Sequence, residues 1–271
     1  MKTTFFFTLA ALTTTVFSQT EFSAFGADSS AIQSTVDGFR AALGPNNGVG
    51  PGIINPDGRR EINWDAVPDS FSSPNDLPAN FFNNNSKRGA VFSGAQRFRV
   101  SADNDNPTNT PPLFAEFNPD YANTFSVFSQ QRLFSSVDSN VYDVEFFVSG
   151  SNTRGLTRAF GAVFTDVDLN NLSSIEFFDQ SDRSIHTMFV NGQGDFTTNR
   201  SLSFAGAMFA APVISRVRIT LGNSALGSLD GDGHDVVVND DFIYGEVVPE
   251  PASMVALAGG LLVNLRRRKS K

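Results

Sequence analysis

A short segment in the C-terminal part of the chain combines aspartates and glycines in a pattern that suits a hard cation. The segment reads Asp230-Gly231-Asp232-Gly233-His234-Asp235. Calcium takes six to eight oxygen ligands from carboxylates and carbonyls, and glycine frees the backbone to turn inward and supply them. The segment lacks the distal glutamate of an EF-hand loop. It predicts a structural calcium site that pins loops, or, as the alternative, aspartates that only form turns and keep the surface soluble.

Further carboxylates could join this segment. Asp166 and Asp168 follow a predicted strand and lie on one face of it, because side chains two residues apart in a strand point the same way. Asp240 or Asp241, on the last predicted strand, could approach them if the first and last strands pair. The predicted metal ligands are therefore Asp166, Asp168, Asp230, Asp232, Asp235 and Asp241.

Three glutamates in predicted strands, Glu116, Glu145 and Glu176, are the candidates for glycoside hydrolysis. That reaction needs an acid and a base a few ångströms apart. With 28 acidic residues in the chain, some pair is expected by chance. The two histidines, His186 and His234, lie outside any Gly-x-Ser-x-Gly context, and cysteine is absent, which excludes thiol catalysis. We therefore expect no enzymatic activity.

The single tryptophan, Trp64, is the candidate ligand-binding residue. Exposed beside polar groups, it could bind a sugar, whereas a lone tryptophan in a strand more often packs in the core. The chain has 28 phenylalanines against three tyrosines, which favours packing over an exposed sugar-binding face. A non-catalytic surface or matrix protein is the first hypothesis. A carbohydrate-binding module, with calcium assistance as an option, is the second, and a secreted glycan-active hydrolase is the third.

One helix is predicted near the start of the folded part. Asp28 or a serine after it can cap the helix, and Gly44 followed by proline ends it. Residues 46–60 are rich in Gly, Pro and Asn and predict a loop. Four apolar residues recur at helical spacing: Ile32, Val36, Phe39 and Leu43.

From residue 61 onward the apolar period changes to two, which predicts strands. The turns between them are rich in Asn, Asp, Gly and Pro. Many short strands with such turns predict an all-β fold, a β-sandwich of jelly-roll type. The predicted strands span residues 61–67, 90–101, 113–117, 124–128, 141–149, 158–167, 174–178, 185–190, 201–209, 214–221 and 236–244.

The N-terminal residues predict a secretory signal peptide over residues 1–18. Lys2 gives a positive start, and the apolar run over 5–12 is much shorter than the roughly 20 residues that a membrane-spanning helix needs. Val16 and Ser18 precede the predicted cleavage point. A buried N-terminal strand is the alternative.

The C-terminal end has three parts in order: Pro249-Glu250-Pro251, an apolar run over 252–263, and the basic cluster Arg266, Arg267 and Arg268. About a dozen apolar residues are marginal as a permanent span, and the basic cluster favours the cytoplasmic side. These parts resemble the PEP-CTERM sorting signal. We expect a hydrophobic sorting helix that associates with the membrane transiently; an ordinary C-terminal anchor is the alternative.

The resemblance implies that an exosortase, a membrane-embedded thiol protease, cuts near residues 249–251. It implies a protein exported to the cell envelope, outer surface or extracellular matrix of a Gram-negative bacterium, where extracellular polysaccharide is a further expected partner. Residues 58–65 and 241–246 are similar to a family of secreted bacterial proteins without an assigned activity. From residue 160 onward, the order of segments also resembles jelly-roll domains found ahead of this tail: 161–164, 174–178, 204–206, 214–217 and 240–242.

The predicted organisation has four parts: a signal peptide (1–18), a helix with a Gly/Pro/Asn-rich lead-in (19–60), a β-sandwich domain (61–246) and the sorting signal (247–271). The full chain has net charge −8. Removing both ends takes away six of its 20 basic and one of its 28 acidic residues, which leaves 14 and 27 and a net charge of −13. Such a charge argues against nucleic acid and anionic lipid as partners, and it is compatible with divalent cations or neutral glycans.

Overall fold

A computed structural model describes residues 18–193, 196 and 198–250. The predicted signal peptide, apart from Ser18, and the predicted sorting helix over 252–263 lie outside this part. The helices are α1 Ser29–Leu43, α2 Phe81–Asn84 and α3 Tyr121–Thr124, and a 3-10 helix spans Asp69–Phe71. The strands are β1 Gln19–Gly26, β2 Arg59–Ile62, β3 Ala90–Ser93, β4 Phe98–Val100, β5 Phe134–Ser136, β6 Val141–Phe146, β7 Gly155–Leu156, β8 Ala159–Thr165, β9 Ser174–Phe178, β10 Ser184–Phe189, β11 Leu202–Phe209, β12 Arg216–Thr220, β13 Val238–Gly245 and β14 Val248–Pro249.

These strands form two antiparallel sheets and one short ladder. The first sheet has seven strands in the order β1-β11-β8-β13-β5-β4, and β2 pairs with a further stretch of β13. The second has five strands in the order β10-β9-β12-β6-β3. In the ladder of β14 with β7, Val248 lies opposite Leu156 and Pro249 opposite Gly155. The predicted all-β fold is confirmed to this extent: the described chain is mostly β, with antiparallel sheets and few helices.

The two sheets enclose one hydrophobic core. Phe160 and Phe164 from the seven-stranded sheet belong to the same buried cluster as Phe146 and Phe177 from the five-stranded sheet. The rings of Phe146 and Phe160 meet across the two sheets with their centroids 6.1 Å apart. Two sheets that share a core in this way form a β-sandwich.

Helix α1 covers the outer face of the seven-stranded sheet and confirms the predicted helix. Asp28 caps it, because its Oδ1 accepts the Ser30 N–H at 2.9 Å, and Gly44 ends it at φ 83°. A non-glycine residue would be strained in that left-handed conformation. The buried residues of the helix are the four predicted from spacing: Ile32, Val36, Phe39 and Leu43.

Strand β8 is buried on both faces because the helix covers one and the core covers the other. Val163 packs against the helix, whereas Phe160 and Phe164 point into the core. Gly161 allows the helix to come close, since a Cβ there would lie 2.9 Å from Cε1 of Phe39. Strand β8 is thereby packed between the helix and the core.

The strands predicted over residues 113–117 and 124–128 are wrong. Turns occupy the first range, and helix α3 runs into the second. Leu113 and Phe114 have φ of 55° and 61°, which no strand allows. The apolar residues of this region instead form a separate cluster in which Phe114 packs with Tyr121.

Residues 19–60, predicted as a helix with a loop-rich lead-in, also contain strand residues. Strand β1 pairs along its whole length with β11, from Gln19 opposite Phe209 to Gly26 opposite Leu202. Strand β2 begins at Arg59. Part of the predicted lead-in therefore belongs to the seven-stranded sheet.

Candidate functional site

Three aspartates converge at one end of the seven-stranded sheet. Asp166 and Asp168 follow the last residue of β8, and Asp230 lies in the loop before β13. Strands β8 and β13 pair antiparallel with Thr165 opposite Val238, so the end of β8 meets the loop that leads into β13. One ligand atom from each aspartate lies within 4.8 Å of the others. Asp166 and Asp168 are fully buried, and Asp230 is partly buried.

Backbone amides hold two of these carboxylates in place. Oδ1 of Asp166 accepts the Arg200 N–H at 3.0 Å, and Oδ1 of Asp230 accepts the Val236 N–H at 3.0 Å. The second oxygen of Asp166, Oδ2, is buried and has no hydrogen-bond partner among the described residues. Leaving a buried polar atom without a partner is costly, so this oxygen requires an explanation.

The charged groups that act on the Asp166 carboxylate are all negative. Burial, followed by the negative charges of Asp168 and Asp230, raises the pKa of Asp166 to about 9. Burial also raises the pKa of Asp235 to about 6 and raises that of Asp230. Carboxylates in such a group stay ionised together only if a cation compensates them. Oxygen-only donors of this kind suit calcium or another hard cation.

Asp235, a predicted ligand, does not belong to the group of three and contacts the backbone next to it. Its carboxylate accepts the N–H groups of Asp168 at 3.4 Å and Leu169 at 3.0 Å. The Asp235 N–H in turn donates to Oδ1 of Asn223 at 2.9 Å. Asp235 therefore orients the backbone that carries Asp168.

The structure does not bring the other two predicted ligands to the cluster. Asp232 lies exposed at a turn and has φ 52°. Asp241 lies further along β13, where its carboxylate contacts Arg40 Nη2 at 3.0 Å and Ser129 Oγ at 2.7 Å. Strands β8 and β13 pair, but the register places Asp241 beyond Val238 and away from the end of β8.

Trp64 lies in the core. It is 1% exposed, its ring stacks on Phe134 at 4.1 Å between centroids, and its Nε1–H donates to the Asp240 carbonyl at 2.8 Å. It also borders a cavity of about 290 Å³ together with Phe81 and Arg88. The core interpretation accounts for these contacts, and a ligand-binding role for Trp64 stays a prediction.

The three candidate glutamates are distributed over the molecule. Glu145 on β6 and Glu176 on β9 are separated by β12, and Glu116 lies in the segment before α3. Each faces an arginine: Glu145 pairs with Arg154, Glu176 lies opposite Arg218, and Glu116 Oε1 lies 3.9 Å from Arg99 Nη1. The hydrolase hypothesis stays a prediction.

One buried ion pair could not be identified from the sequence. Arg60 and Glu246 are both fully buried, and Nε and Nη2 of Arg60 each donate to the Glu246 carboxylate at 2.8 Å. The remaining guanidinium N–H groups donate to the carbonyls of Gly48, Gly50 and Gly52. Arg60 follows a Gly-rich loop in the sequence, but its partner lies 186 residues away, so no local pattern reveals the pair.

The comparisons with known proteins identify the end of the chain. A family model described as the PEP-CTERM protein-sorting motif matches residues 247–269, which contain the predicted sorting residues Pro249, Glu250, Pro251, Arg266, Arg267 and Arg268. The motif confirms the resemblance; it belongs to exported proteins that an exosortase processes and that are sorted to the cell envelope or surface. No match was found among curated proteins or solved structures. Among the described residues, none of the helices has the length and apolar character needed to cross a bilayer.

Proposed function

We propose that this chain is a non-catalytic cell-surface or extracellular-matrix protein of a Gram-negative bacterium. A signal peptide over residues 1–18 directs its export, and an exosortase removes the C-terminal tail. The mature part is a β-sandwich of jelly-roll type. The observation that carries the proposal is the sorting motif at residues 247–269, which begins directly after the buried Glu246.

The chain passes from the folded domain into the motif without a long linker. Glu246 is held by Arg60, and Val247 is 1% exposed. Val248 and Pro249 then pair with β7. The first residues of the motif are therefore packed on the sandwich, as expected if the domain is the part that the sorting system delivers.

The placement of the acidic side chains favours a non-catalytic role. The three glutamates that could hydrolyse glycosides lie on different elements and each faces an arginine, whereas the reaction needs an acid and a base a few ångströms apart. The net charge of −13 expected after processing suits a hydrated, uncharged extracellular polysaccharide better than an anionic partner.

Co-expression of the full-length chain with an exosortase in a Gram-negative host tests this proposal. We expect mass spectrometry of the envelope and medium fractions to show a chain that lacks the basic cluster, because a cut near residues 249–251 removes it. Replacing Pro249, Glu250 and Pro251 together by alanine should leave the chain uncut. Ser270→Ala, which lies outside the matched residues, is the control and should be processed as the wild type is.

A second PEP-CTERM protein in the same host shows that the exosortase is active. If that protein is cut while the wild-type chain keeps its basic cluster, the proposal is wrong. Equal processing of the triple alanine variant and the wild type would also contradict it.

A further inference from the structure

We propose that Asp166, Asp168 and Asp230 bind one calcium ion, which ties the end of β8 to the loop that enters β13. This inference goes beyond the proposed function, since export and tail processing do not require a metal. It assigns a role to the aspartate-rich segment that the sorting motif leaves unexplained.

The first argument is the buried oxygen of Asp166. The side chain is fully buried, Oδ1 accepts an amide N–H, and Oδ2 has no hydrogen-bond partner among the described residues. The charged groups that act on this carboxylate are acidic, namely Asp168, Asp230 and Asp235. A folded protein pays heavily for a buried carboxylate under these conditions, and a bound cation removes that cost.

The second argument is the spacing of the ligand atoms. Calcium–oxygen distances are about 2.3–2.6 Å, so oxygens on opposite sides of one ion lie roughly 5 Å apart. The three aspartate ligand atoms lie within 4.8 Å of one another. One calcium ion can therefore contact all three with the backbone left in place. Calcium also accepts water and backbone carbonyls, which can complete the six to eight ligands.

The third argument is that the surrounding chain holds the ligands without help from the ion. Asp235 accepts hydrogen bonds from the backbone of Asp168 and Leu169, and the Val236 N–H fixes Asp230. Second-layer contacts of this kind orient ligating carboxylates in metal sites. The site is thus built by a strand end and a loop that lie far apart in sequence.

Thermal unfolding of the full-length chain, purified in detergent and stripped of metal with EDTA, tests the inference. Calcium that binds only the folded state must raise Tm. At a free concentration about 100 times Kd, we expect a rise of roughly 5–10 °C. Magnesium should raise Tm less, because it demands a smaller octahedral site. Isothermal titration calorimetry should show one calcium bound per chain.

Variants separate binding from general effects on folding. Asp166→Asn keeps the shape of the side chain and is uncharged in both the folded and the unfolded state. Folding of the metal-free variant therefore does not have to take a carboxylate out of water, so the variant should unfold at a higher temperature than the wild type while losing the response to calcium. Asp168→Asn should also lose the response. Asp232→Asn is the matched control, because this exposed aspartate of the same segment lies outside the cluster, and it should respond as the wild type does.

Two results would overturn the inference. One is a wild-type Tm that millimolar calcium leaves unchanged, together with no heat of binding. The other is a full calcium response in both Asp166→Asn and Asp168→Asn. Either result would show that the aspartates only shape the turn and that the sorting function stands without a metal.

Discussion

Two adjacent acids on β13, Asp240 and Asp241, are buried side by side but have different surroundings. Asp241 pairs with Arg40, whereas Asp240 accepts the N–H of Phe128 at 2.6 Å and is hydrogen-bonded to Asp241. They lie where the pairing of β13 with β8 is interrupted. Burial and then the charge of Asp241 raise the pKa of Asp240 well above its ordinary value, so Asp240 binds its proton more tightly than an exposed aspartate does.

We predict that Asp240 makes the domain less stable as the pH rises. An acid whose pKa is higher in the folded than in the unfolded state binds more protons when folded, so its contribution is lost as pH rises above the unfolded value near 4. Asp240→Asn can still accept the Phe128 N–H and donate to Asp241, and it cannot ionise. Urea unfolding in EDTA at pH 5 and pH 8 should show the variant gaining stability relative to the wild type by up to about 1.4 kcal/mol per pH unit.

The other charged groups near the pair are Asp65, which acts on Asp240, and Arg40 and Glu61, which act on Asp241. They are the same in both proteins. Asp57→Asn removes an exposed carboxylate and serves as the control, with the pH dependence of the wild type. If the difference in unfolding free energy between Asp240→Asn and the wild type is the same at both pH values, Asp240 is not protonated in the folded state.

At the scale of elements, the ring of Phe39 on α1 makes the central contact between this helix and the seven-stranded sheet. The centroid of Phe39 lies 5.2 Å from that of Phe22 on β1 and 5.4 Å from that of Phe204 on β11. Glycines at 161 and 206 leave room for it. The helix therefore covers a face of the sheet that would otherwise expose apolar residues to water.

We predict that Phe39→Ala lowers the free energy of unfolding by about 3–5 kcal/mol, the usual cost of emptying a buried aromatic site. Ser34→Ala, at an exposed position of the same helix, should change it by less than about 0.5 kcal/mol. Urea unfolding measures both changes, with the same dependence of the unfolding free energy on urea concentration assumed for wild type and variants. A loss below about 1 kcal/mol for Phe39→Ala would show that the helix contributes little to the sandwich.

The sequence predicted an element correctly where the pattern of apolar residues depends on near neighbours in the chain. The spacing of Ile32, Val36, Phe39 and Leu43 identified the helix and its buried face. Residues 113–117 and 124–128 are rich in apolar residues, which led to the prediction of strands. In the first range, positive φ at Leu113 and Phe114 turns the chain. Composition does not reveal such turns, because they are stabilised by the cluster that they complete.

At the scale of the whole molecule, the folded domain and the sorting tail (residues 247–271) meet at Glu246. Arg60 loses its buried carboxylate partner if the chain ends before this residue. The first residues of the matched motif, Val247 to Pro249, also pack against the folded domain.

We predict that a chain ending at Glu250 unfolds at the same temperature as the full-length protein. A chain ending at Gly245 leaves the Arg60 guanidinium buried without its partner and should lose about 3–5 kcal/mol. Glu246→Gln in the full-length chain should reproduce much of that loss, which separates the ion pair from the other deleted contacts. Thermal unfolding of the full-length protein, the two truncations and Glu246→Gln decides this, and equal Tm for both truncations would contradict the role of the pair.

The sequence by itself determined the features that depend on short segments. These are the sorting motif, whose three parts follow one another along the chain, the helix with its buried face, and the largely β composition of the rest. The tertiary structure alone decided which distant residues meet. The register of β8 with β13 brings Asp230 to Asp166 and Asp168 and carries Asp241 away to Arg40, while the core takes up Trp64. The physical reason is that periodicity is set by neighbouring residues, whereas register and loop closure are set by the packing of the whole sandwich.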